Sequence, residues 1–518
     1  MTTVQSTHST ELAEFPIDAK GEILQIEELN ASGPGAEELD FIANFDEVKK
    51  RKMYRKIDIR LVPMLAALYL FSYIDRANIG NAKIEGMTTD LKMSGTQYNI
   101  ALSVFFVPYV FFEMPANAIL HRYFGNRPSW WIGGLTLCWG TIMALHGAVH
   151  SFGALLAVRL ALGIPEAGFF PAAVLICSNW YPRHMLQVRI ALFYSASALA
   201  GAFSGLLAFA IAKMDGVGGI EGWRYIFILE GCATVALGFL VPFVLLDTVS
   251  TSKFLDSDEK KYLTLVQKAQ DASATGDKDV HTGIDWKTVR SVVTDWQLYV
   301  QAIIYWSNTV PNYALKFTLP TIIKAMGFTS SNAQLLTIPP YILGCMSAFG
   351  SALLSDRFKR RMPFIVGAQT LVVIAFCIMA PLAPRIKANI GPCYFAICLA
   401  CLGFYPINPG GNAWTANNLA GPAKRAMGMA YMICIGNIGG LIGSYIYIEK
   451  EAPSYPTGYG CSIAFPLAGI IAAVSLEFAL IRINKKRSRL SEEEVRAKYT
   501  PQELADMGDR SPLYRYTL

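Results

Sequence analysis

The chain has 518 residues, of which 53% are apolar and 16% are charged, and its mean hydropathy is +0.34. Soluble domains carry closer to about a quarter charged residues, so this composition argues against a soluble enzyme and predicts a membrane protein. The net charge of +6 does not indicate nucleic-acid binding, because no soluble segment interleaves basic and aromatic residues.

Apolar runs of about 20 residues recur along the chain, and each is long enough to cross a hydrocarbon layer of roughly 30 Å. We predict an all-α membrane protein with twelve transmembrane helices in two six-helix halves. The predicted spans are 60–81, 98–119, 128–149, 152–177, 188–212, 223–246, 298–323, 333–355, 363–383, 391–415, 425–447 and 461–483.

The spans divide the chain into five parts. Residues 1–45 are polar and acidic, which predicts a disordered cytoplasmic tail. The two halves are predicted at 46–246 and 298–484, joined by a charged cytoplasmic linker at 247–297 that contains some amphipathic helix. Residues 485–518 form a cytoplasmic C-terminal tail.

Lysine and arginine collect before the first span, in alternate loops and after the last span, whereas the opposite loops are short and mixed in charge. By the positive-inside rule both termini are cytoplasmic, which requires an even number of spans and agrees with twelve. The basic clusters lie at 49–60, 122–127, 183–189, 357–361, 424–425 and 485–489.

Two pairs of charges lie inside apolar stretches. Asp75 and Arg76 occur in LYLFSYIDRANIG, and Arg159 and Glu166 occur in LLAVRLALGIPEAGFFPAAVLI. A charge at membrane depth is costly unless it is paired or hydrated, so such residues usually serve function. The seven-residue spacing of Arg159 and Glu166 places both on one helix face, about 10 Å apart. The charges predict movement of an anion and a proton; the alternative is a static ion-pair network that braces the first and fourth helices.

Three more polar residues lie in predicted spans. Lys316 is a lone cation in the seventh span, where it either faces a substrate or snorkels to an interface. Tyr109 and Glu113 lie one turn apart on one face of the second span. We expect Tyr109 to donate an orienting hydrogen bond to a carboxylate, and Glu113, nearer the cytoplasmic end, to belong to a gate.

The tenth span reads YPINPGGNAWTANNLAG. Its Pro and Gly residues are predicted to break the helix, which membrane proteins tolerate where the freed backbone lines a cavity or meets neighbouring helices. Asn408, Asn412 and Trp414 in this span, and Asn437 in the eleventh, are candidate substrate contacts. Amides bind many polar ligands, so these residues do not identify which one.

The two halves repeat features at matching places. The loop after the second span reads NAILHRYFGNR, and the loop after the eighth reads SALLSDRFKRR. We assign gating roles to Arg122 in the first loop and to Asp356, Arg357 and Arg361 in the second. Small residues at every fourth position in the fifth and eleventh spans favour helices at the interface between moving halves over ordinary tight packing. These small residues are Ser197, Gly201, Gly205, Gly436, Gly440 and Ser444.

No cofactor or metal is expected. Nearly all of the ten cysteines lie within spans, where they pack as small apolar residues. Cys398 and Cys401 form a CxxC without a second pair. His146 and His150 stand one turn apart but lack a carboxylate as third ligand.

Several segments resemble a known family. The six-plus-six layout, with SDRFKRR after the eighth span, looks like the major facilitator superfamily. More narrowly, FDEVKKRKMYRKIDIRLVPML, YIDRANIGNAKI, RLALGIPEAGFFPA and GWRYIFILEG resemble the fungal allantoate permease family of anion:cation symporters. The resemblance covers about residues 44–485, and YIDRANIGNAK is its specific signal. His121 departs from it, since the superfamily usually has Asp there.

The resemblance implies proton-coupled uptake of a carboxylate nutrient or vitamin, such as nicotinate, pantothenate, biotin or allantoate, at a fungal plasma membrane. It implies that Asp75 and Glu166 carry the coupled proton and that Arg76 binds the anionic group of the substrate. It also implies that Arg159 is the switchable partner of an acid.

The expected partners are therefore a small organic anion, protons and the lipid bilayer, and we expect a monomer. Two alternatives remain: an exporter of an acidic metabolite or toxin, and a transporter-like nutrient sensor. Arg76 and Lys316 argue against export of hydrophobic drugs but not of acids. The tails are shorter than the cytoplasmic extensions typical of sensors. No nucleophile constellation indicates an enzyme.

Overall fold

The computed structural model describes residues 36–274, 286–358, 360–420, 422–500, 503–504 and 507–518, which form helices and connecting turns with no β-strand among them. Ten helices precede residue 245: α1 (Ala36–Ala43), α2 (Glu47–Ile84), α3 (Met87–Asp90), α4 (Gly95–Ser103), α5 (Phe106–Tyr123), α6 (Pro128–His146), α7 (Phe152–Ala167), α8 (Phe169–Trp180), α9 (Arg183–Ala212) and α10 (Gly222–Val244).

Ten more helices follow. They are α11 (Ser257–Ala274), α12 (Trp286–Val293), α13 (Trp296–Ala325), α14 (Ser330–Leu335), α15 (Ile338–Phe358), α16 (Met362–Leu382), α17 (Ile390–Asn418), α18 (Pro422–Ile446), α19 (Pro456–Arg487) and α20 (Glu492–Lys498).

Each of the twelve predicted spans coincides with one helix or with two consecutive helices. The second, fourth and eighth spans are divided into α4 and α5, α7 and α8, and α14 and α15. In the fourth span the division falls at Gly168, three residues after Pro165. Proline lacks a backbone N–H and so weakens the helix around it.

Nine helical segments among the described residues are long and apolar enough to cross a membrane. The other three predicted spans coincide with α6, α9 and α13. Tryptophan and glycine lower the hydropathy of α6, and among the described residues of α9 the segment Leu199–Ala212 is apolar. Helix α13 carries buried Gln, Asn, Thr and Lys side chains, so its polarity reflects what it faces inside the protein.

The tenth span is one continuous helix. Pro406 and Pro409 lie inside α17, which runs from Ile390 to Asn418. The prediction that its Pro and Gly residues break the helix is therefore wrong. A proline removes only local hydrogen bonds, and neighbouring helices can satisfy the freed carbonyls.

One compact unit comprises Met1–Lys56 and Val249–Thr282. Within its described part, the Phe45 ring stacks on Tyr262 with centroids 4.4 Å apart, and Lys49 forms a 2.9 Å ion pair with Asp258. The hydrogen bond from Lys49 to Asp258 raises the pKa of Lys49. Helix α1 lies inside the tail predicted to be disordered, and it forms because α11 supplies partners that the local sequence does not reveal. Residues 1–35 lie outside the described residues.

The second compact unit comprises Ile57–Thr248 and Gly283–Leu518 and holds both six-helix halves. In the N-terminal half, α6 and α10 pack closely through glycines. A methyl group on Gly140 would lie 2.8 Å from the Val235 nitrogen, and one on Gly238 would lie 2.8 Å from the Leu137 nitrogen. Small residues let these backbones approach, as is common between membrane helices.

The C-terminal half has a large apolar core between α13, α16, α17 and α19. Its aromatic members include Phe376, Phe404 and Tyr459, which are almost fully buried. The centroid of the Phe376 ring lies 6.1 Å from that of Phe404 and 6.1 Å from that of Tyr459. This core makes the second half a well-packed helical body.

The small-residue stripes lie between the halves. A methyl group on Gly201 of α9 would lie 2.6 Å from the Tyr341 ring of α15, and one on Gly440 of α18 would lie 2.5 Å from the Phe106 ring of α5. The prediction that the fifth and eleventh spans form the interface between the halves is confirmed by these contacts.

Further contacts join the halves at one end of the bundle, which we call the far end (residues 83–85, 324–337 and 445–455). The Lys324 Nζ and Ser330 Oγ donate hydrogen bonds of 2.8 and 3.1 Å to the Ile84 carbonyl. Lys83 lies 3.7 Å from the Glu449 carboxylate. The far end is therefore closed by polar contacts.

The C-terminal residues 507–518 fold back onto the second half. The Asp509 carboxylate accepts a 2.7 Å hydrogen bond from Lys424, which also donates to Asp295 at 2.6 Å. The Tyr516 hydroxyl donates to the Asp509 carbonyl at 2.9 Å, and burial raises the pKa of Tyr516. We call this docked segment the C-terminal strap.

Candidate functional site

A cavity lies between the two halves. Helices α2 and α5 of the first half and α13, α17 and α18 of the second supply most of its polar lining. Arg76 and Lys316 are the only charged side chains among its described lining residues. The predicted substrate residues that line it are Arg76, Tyr109, Lys316, Asn408, Asn412 and Asn437.

Arg76 is paired with Glu166. The Arg76 Nε donates a hydrogen bond to Glu166 Oε1, and Ser72 Oγ donates to the same oxygen. The other oxygen of Glu166 has no hydrogen-bond partner among the described residues. All three side chains are buried, so the carboxylate neutralises a guanidinium that would otherwise be very costly at this depth.

Three aromatic rings surround the Arg76 guanidinium. Its central carbon lies 4.7 Å from the centroid of Tyr109, 5.1 Å from Tyr73 and 5.3 Å from Phe105. Rings at such distances attract a cation through their negative faces. The predicted role of Tyr109 is a hydrogen bond to a carboxylate, and the structure adds this contact with the arginine.

Lys316 faces the cavity from the opposite half. Its Nζ lies 4.5 Å from the centroid of Tyr73 and donates a 3.4 Å hydrogen bond to the Tyr73 carbonyl. The side chain is buried rather than directed to an interface, and no carboxylate pairs with it in the described part of the chain. The cavity therefore contains one cation paired with Glu166 and one that has no ion-pair partner among the described residues.

Amides and aromatic rings complete the lining. Sequence reasoning named three of the amides, Asn408, Asn412 and Asn437, but missed Asn308 and Asn312 of α13. A polar side chain every fourth residue from Asn308 to Lys316 is the signal that could have found them. The ring-bearing residues of the lining are Tyr69, Tyr73, Tyr109, Phe169, Phe170, Tyr305, Tyr313, Phe404 and Tyr405.

Asp75 does not line the cavity. It is buried inside the N-terminal half, where Thr234 of α10 donates a 3.2 Å hydrogen bond to its Oδ2. One turn further along α2, Asn78 donates to Glu230 of α10. Glu230 was missed, although it lies in the segment GWRYIFILEG; a glutamate within an apolar stretch was the available signal.

Arg159 is also buried in this half, and the structure does not pair it with Glu166. Its Nε and Nη2 atoms have no hydrogen-bond partner within the described part of the chain. The spacing of the two residues indicated a common helix face, but the side chain that reaches Glu166 comes from α2. Arg159 still interacts electrostatically with Glu166 and Asp75.

Trp414, predicted as a substrate contact, lies elsewhere. Its side chain is fully buried, and its indole Nε1 donates a 3.1 Å hydrogen bond to the Thr517 carbonyl of the C-terminal strap. It sits two residues beyond Asn412 on α17, so it points to a different side of that helix.

The predicted gating residues differ in their surroundings. Glu113 is buried and accepts a 3.6 Å hydrogen bond from Cys434 Sγ across the two halves. Arg122 and Arg357 are exposed, and Arg361 donates to Ser355 Oγ at 3.0 Å. The side chain of Asp356 lies outside the described residues, as does that of His121.

Comparison with known proteins identifies the family. The pattern of the Major Facilitator Superfamily matches residues 65–444. The MFS-type transporter cnsO of Penicillium expansum is 37% identical over 92% of this chain and 92% of its own. The high-affinity nicotinic acid transporter of Saccharomyces cerevisiae is 32% identical over 93% of this chain and 87% of its own.

Solved structures share the fold. A D-xylose-proton symporter aligns with a TM-score of 0.62 at 14% identity, covering 81% of this chain and 97% of its own. A bacterial homologue of the human lysosomal transporter Spinster, in an inward-facing conformation, aligns with a TM-score of 0.61 at 17% identity, covering 81% and 96%. With twelve predicted spans, a cavity between two halves and relatives that are transporters rather than enzymes, the chain belongs to the major facilitator superfamily.

Proposed function

We propose that this transporter takes up a small organic anion, with a carboxylate as its charged group, together with a proton. The cavity charge carries the proposal. Arg76 and Lys316 face the space from opposite halves, and only Arg76 has a carboxylate partner among the described residues. A monoanion bound there would balance Lys316 and bring charged groups of both halves into contact with one ligand.

The same geometry supports coupling to a proton. A substrate carboxylate competes with Glu166 for the Arg76 guanidinium, which can bind a carboxylate through two parallel N–H groups. When Arg76 turns to the substrate, Glu166 keeps only its hydrogen bond from Ser72. A buried carboxylate that loses its cation gains a proton more readily. Anion binding therefore favours proton binding at Glu166.

Alternating access requires two positions of the halves. Contacts at the far end, and contacts of each small-residue stripe with the opposite half, hold the present arrangement. A ligand that bridges Arg76 and Lys316 would add attraction between α2 and α13, and so would shift the balance between the two arrangements. The basic clusters favour cytoplasmic termini, and the resemblance to nutrient permeases favours the plasma membrane.

The lining also restricts the body of the substrate. Nine aromatic side chains and five asparagine amides surround the two cations, which suits a planar molecule with polar ring atoms better than a long alkyl chain. The nicotinic acid transporter among the relatives makes nicotinate the first molecule to test.

The test is uptake of labelled nicotinate, pantothenate and allantoate into proteoliposomes, with and without an inward proton gradient. We expect accumulation of at least one acid only with the gradient. Gradient-independent equilibration would contradict proton coupling. Accumulation only when the proton gradient is directed outward would instead support export of an acidic metabolite.

Lys316→Met tests the cation that has no ion-pair partner among the described residues. Hydrogen bonds to charged groups contribute about 1.5–3 kcal/mol, so we expect the KM for the transported acid to rise about 10–100-fold. The control is Lys213→Met, because Lys213 lies outside the cavity, over the Phe209 ring. Equal effects of both substitutions would contradict the assignment of Lys316.

A further inference from the structure

Asp75 and Glu230 lie on two neighbouring helices of the N-terminal half and interact electrostatically. Thr234 donates to Asp75, and Asn78 donates to Glu230. Residues 75 and 78 lie one turn apart on α2, and residues 230 and 234 lie one turn apart on α10. The two hydrogen bonds therefore form adjacent rungs between antiparallel helices, with one carboxyl group contributed by each helix.

Both carboxyl groups are buried and only half satisfied. Asp75 is 1% exposed and Glu230 is 3% exposed. Asp75 Oδ1 and Glu230 Oε1 have no hydrogen-bond partner among the described residues. No ion pair with lysine, arginine or histidine reaches either group in the described part of the chain. Two ionised carboxylates in this setting would each bear an uncompensated charge, which is far more costly than one.

A buried cation that interacts with Asp75 is also incompletely satisfied. Arg159 is 2% exposed, its Nε and Nη2 lack partners in the described ranges, and it interacts electrostatically with Asp75. One guanidinium can balance one carboxylate of the pair but not two. Trp139 and Glu166 also interact with Asp75, whereas Tyr98 and His146 interact with Arg159, and Ser204 donates a hydrogen bond to Asn78.

We propose that Asp75 and Glu230 bind one exchangeable proton between them, which makes Glu230 a proton-coupling residue of the transporter. A proton on either carboxyl group leaves one negative charge for Arg159 to balance. It also supplies an O–H donor where two oxygens now lack one. The site lies within one half, so a movement of the halves does not need to separate its members.

The site is connected to the cavity through α2. Asp75 directly precedes Arg76, and Glu166 interacts electrostatically with Asp75. When Arg76 leaves Glu166 for a bound anion, and until Glu166 itself gains a proton, the negative charge near Asp75 increases and the shared proton is held more tightly. This step rests on the proton coupling proposed above, whereas the presence of the shared proton does not.

Infrared difference spectroscopy of the purified protein tests the site without a substrate. A protonated carboxyl group has a C=O band that a carboxylate lacks. A single shared proton predicts that Glu230→Gln and Asp75→Asn each remove the same whole band at neutral pH. Independent protonation would leave about half of the signal in each variant, and two ionised carboxylates would show none; either result overturns the proposal.

Two further variants make this test specific. Glu477→Gln is the matched control, because Glu477 of α19 is also buried with one oxygen unpartnered among the described residues but lies in the other half; it should leave the band of the pair in place. Thr234→Val keeps both acids and removes the donor to Asp75, so the band should persist at a shifted frequency. A band unmoved by Thr234→Val would contradict its assignment to this pair.

Transport then tests the role of the proton, with labelled nicotinate as the probe if the native protein accumulates it, or otherwise whichever acid of the panel it accumulates. We expect Glu230→Gln to lose gradient-driven accumulation and to retain exchange of internal for external substrate, while Glu477→Gln retains both. Accumulation by Glu230→Gln at the native level would overturn its coupling role. Absence of gradient-driven accumulation in the native protein would instead contradict the proposed function.

Discussion

At the scale of single residues, Arg76 joins several features of the site. It pairs with Glu166, lies among three aromatic rings and lines the cavity. A planar guanidinium can stack on rings and bind a carboxylate edge-on at the same time, which an ammonium cannot. The arginine is therefore suited to exchange one carboxylate partner for another without leaving its aromatic surroundings.

The substitution Arg76→Lys preserves the charge but not this geometry. We expect the protein to fold, because Glu166 keeps a cation nearby, and kcat/KM for the transported acid to fall about 10–100-fold. Initial uptake rates at several substrate concentrations measure the effect. Native kinetics in this variant would show that charge alone suffices and that the guanidinium shape is irrelevant.

The residue type of Trp414 suggested substrate binding, but its side chain does not line the cavity. In Trp414→Phe the ring volume is largely kept, and the hydrogen bond to the Thr517 carbonyl is lost. We expect a stability loss of about 1 kcal/mol, seen as a lower apparent melting temperature, with an unchanged KM. A raised KM with unchanged stability would return Trp414 to the substrate site.

At the scale of elements, glycine positions decide how closely the two halves approach. A methyl group added to Gly201 of α9 would meet the Tyr341 ring, whereas one added to Gly350 of α15 would project into open space. Both are helical, so replacing either with alanine favours the helix itself by roughly 1 kcal/mol. Only the contact between halves distinguishes the two positions.

We therefore expect Gly201→Ala to slow uptake several-fold, because the added methyl group forces α9 away from α15 in the arrangement that closes the far end. Gly350→Ala should leave uptake unchanged and raise thermal stability slightly. Uptake rates and melting curves of the two purified variants provide the comparison. Equal uptake rates would show that this close approach does not limit the transport cycle.

At the scale of the whole molecule, the C-terminal strap joins helices that are distant in sequence. Beyond the contacts of Asp509 and Tyr516, Arg487 donates to the Tyr514 carbonyl at 2.9 Å, and Asn418 donates to the Thr517 carbonyl at 3.0 Å. The Arg361 backbone nitrogen donates to the Leu518 carbonyl at 3.4 Å. The strap thus ties together the ends of α16, α17, α18 and α19.

The ion pair of half-buried Lys424 with buried Asp509 lies at the centre of the strap. Lys424 keeps Asp295 as a partner when Asp509 is removed, so the loss is that of one charged hydrogen bond, about 1.5–3 kcal/mol, and Asp509→Ala should lower the apparent melting temperature by a few degrees. The control is Arg515→Ala, because Arg515 is exposed and its hydrogen bonds go to carbonyls of the strap itself. A melting temperature equal to that of the control would contradict a stabilising role.

The sequence by itself determined the class, the number of spans and the family, because hydropathy, charge in loops and local motifs are properties of contiguous segments. It also identified most of the charged residues of the site, since a charge in an apolar span is visible without any structure. The packing role of the small-residue stripes was likewise readable from their spacing.

Only the tertiary structure decided which helix meets which. Spacing on one helix placed Arg159 and Glu166 on a common face, yet Glu166 bonds to Arg76 of another helix. The role of Glu230 depends on the packing of α10 against α2, which carries Asp75. The role of Trp414 depends on its hydrogen bond to the C-terminal strap. A helical period specifies the direction of a side chain, whereas its partner depends on contacts between segments far apart in the chain.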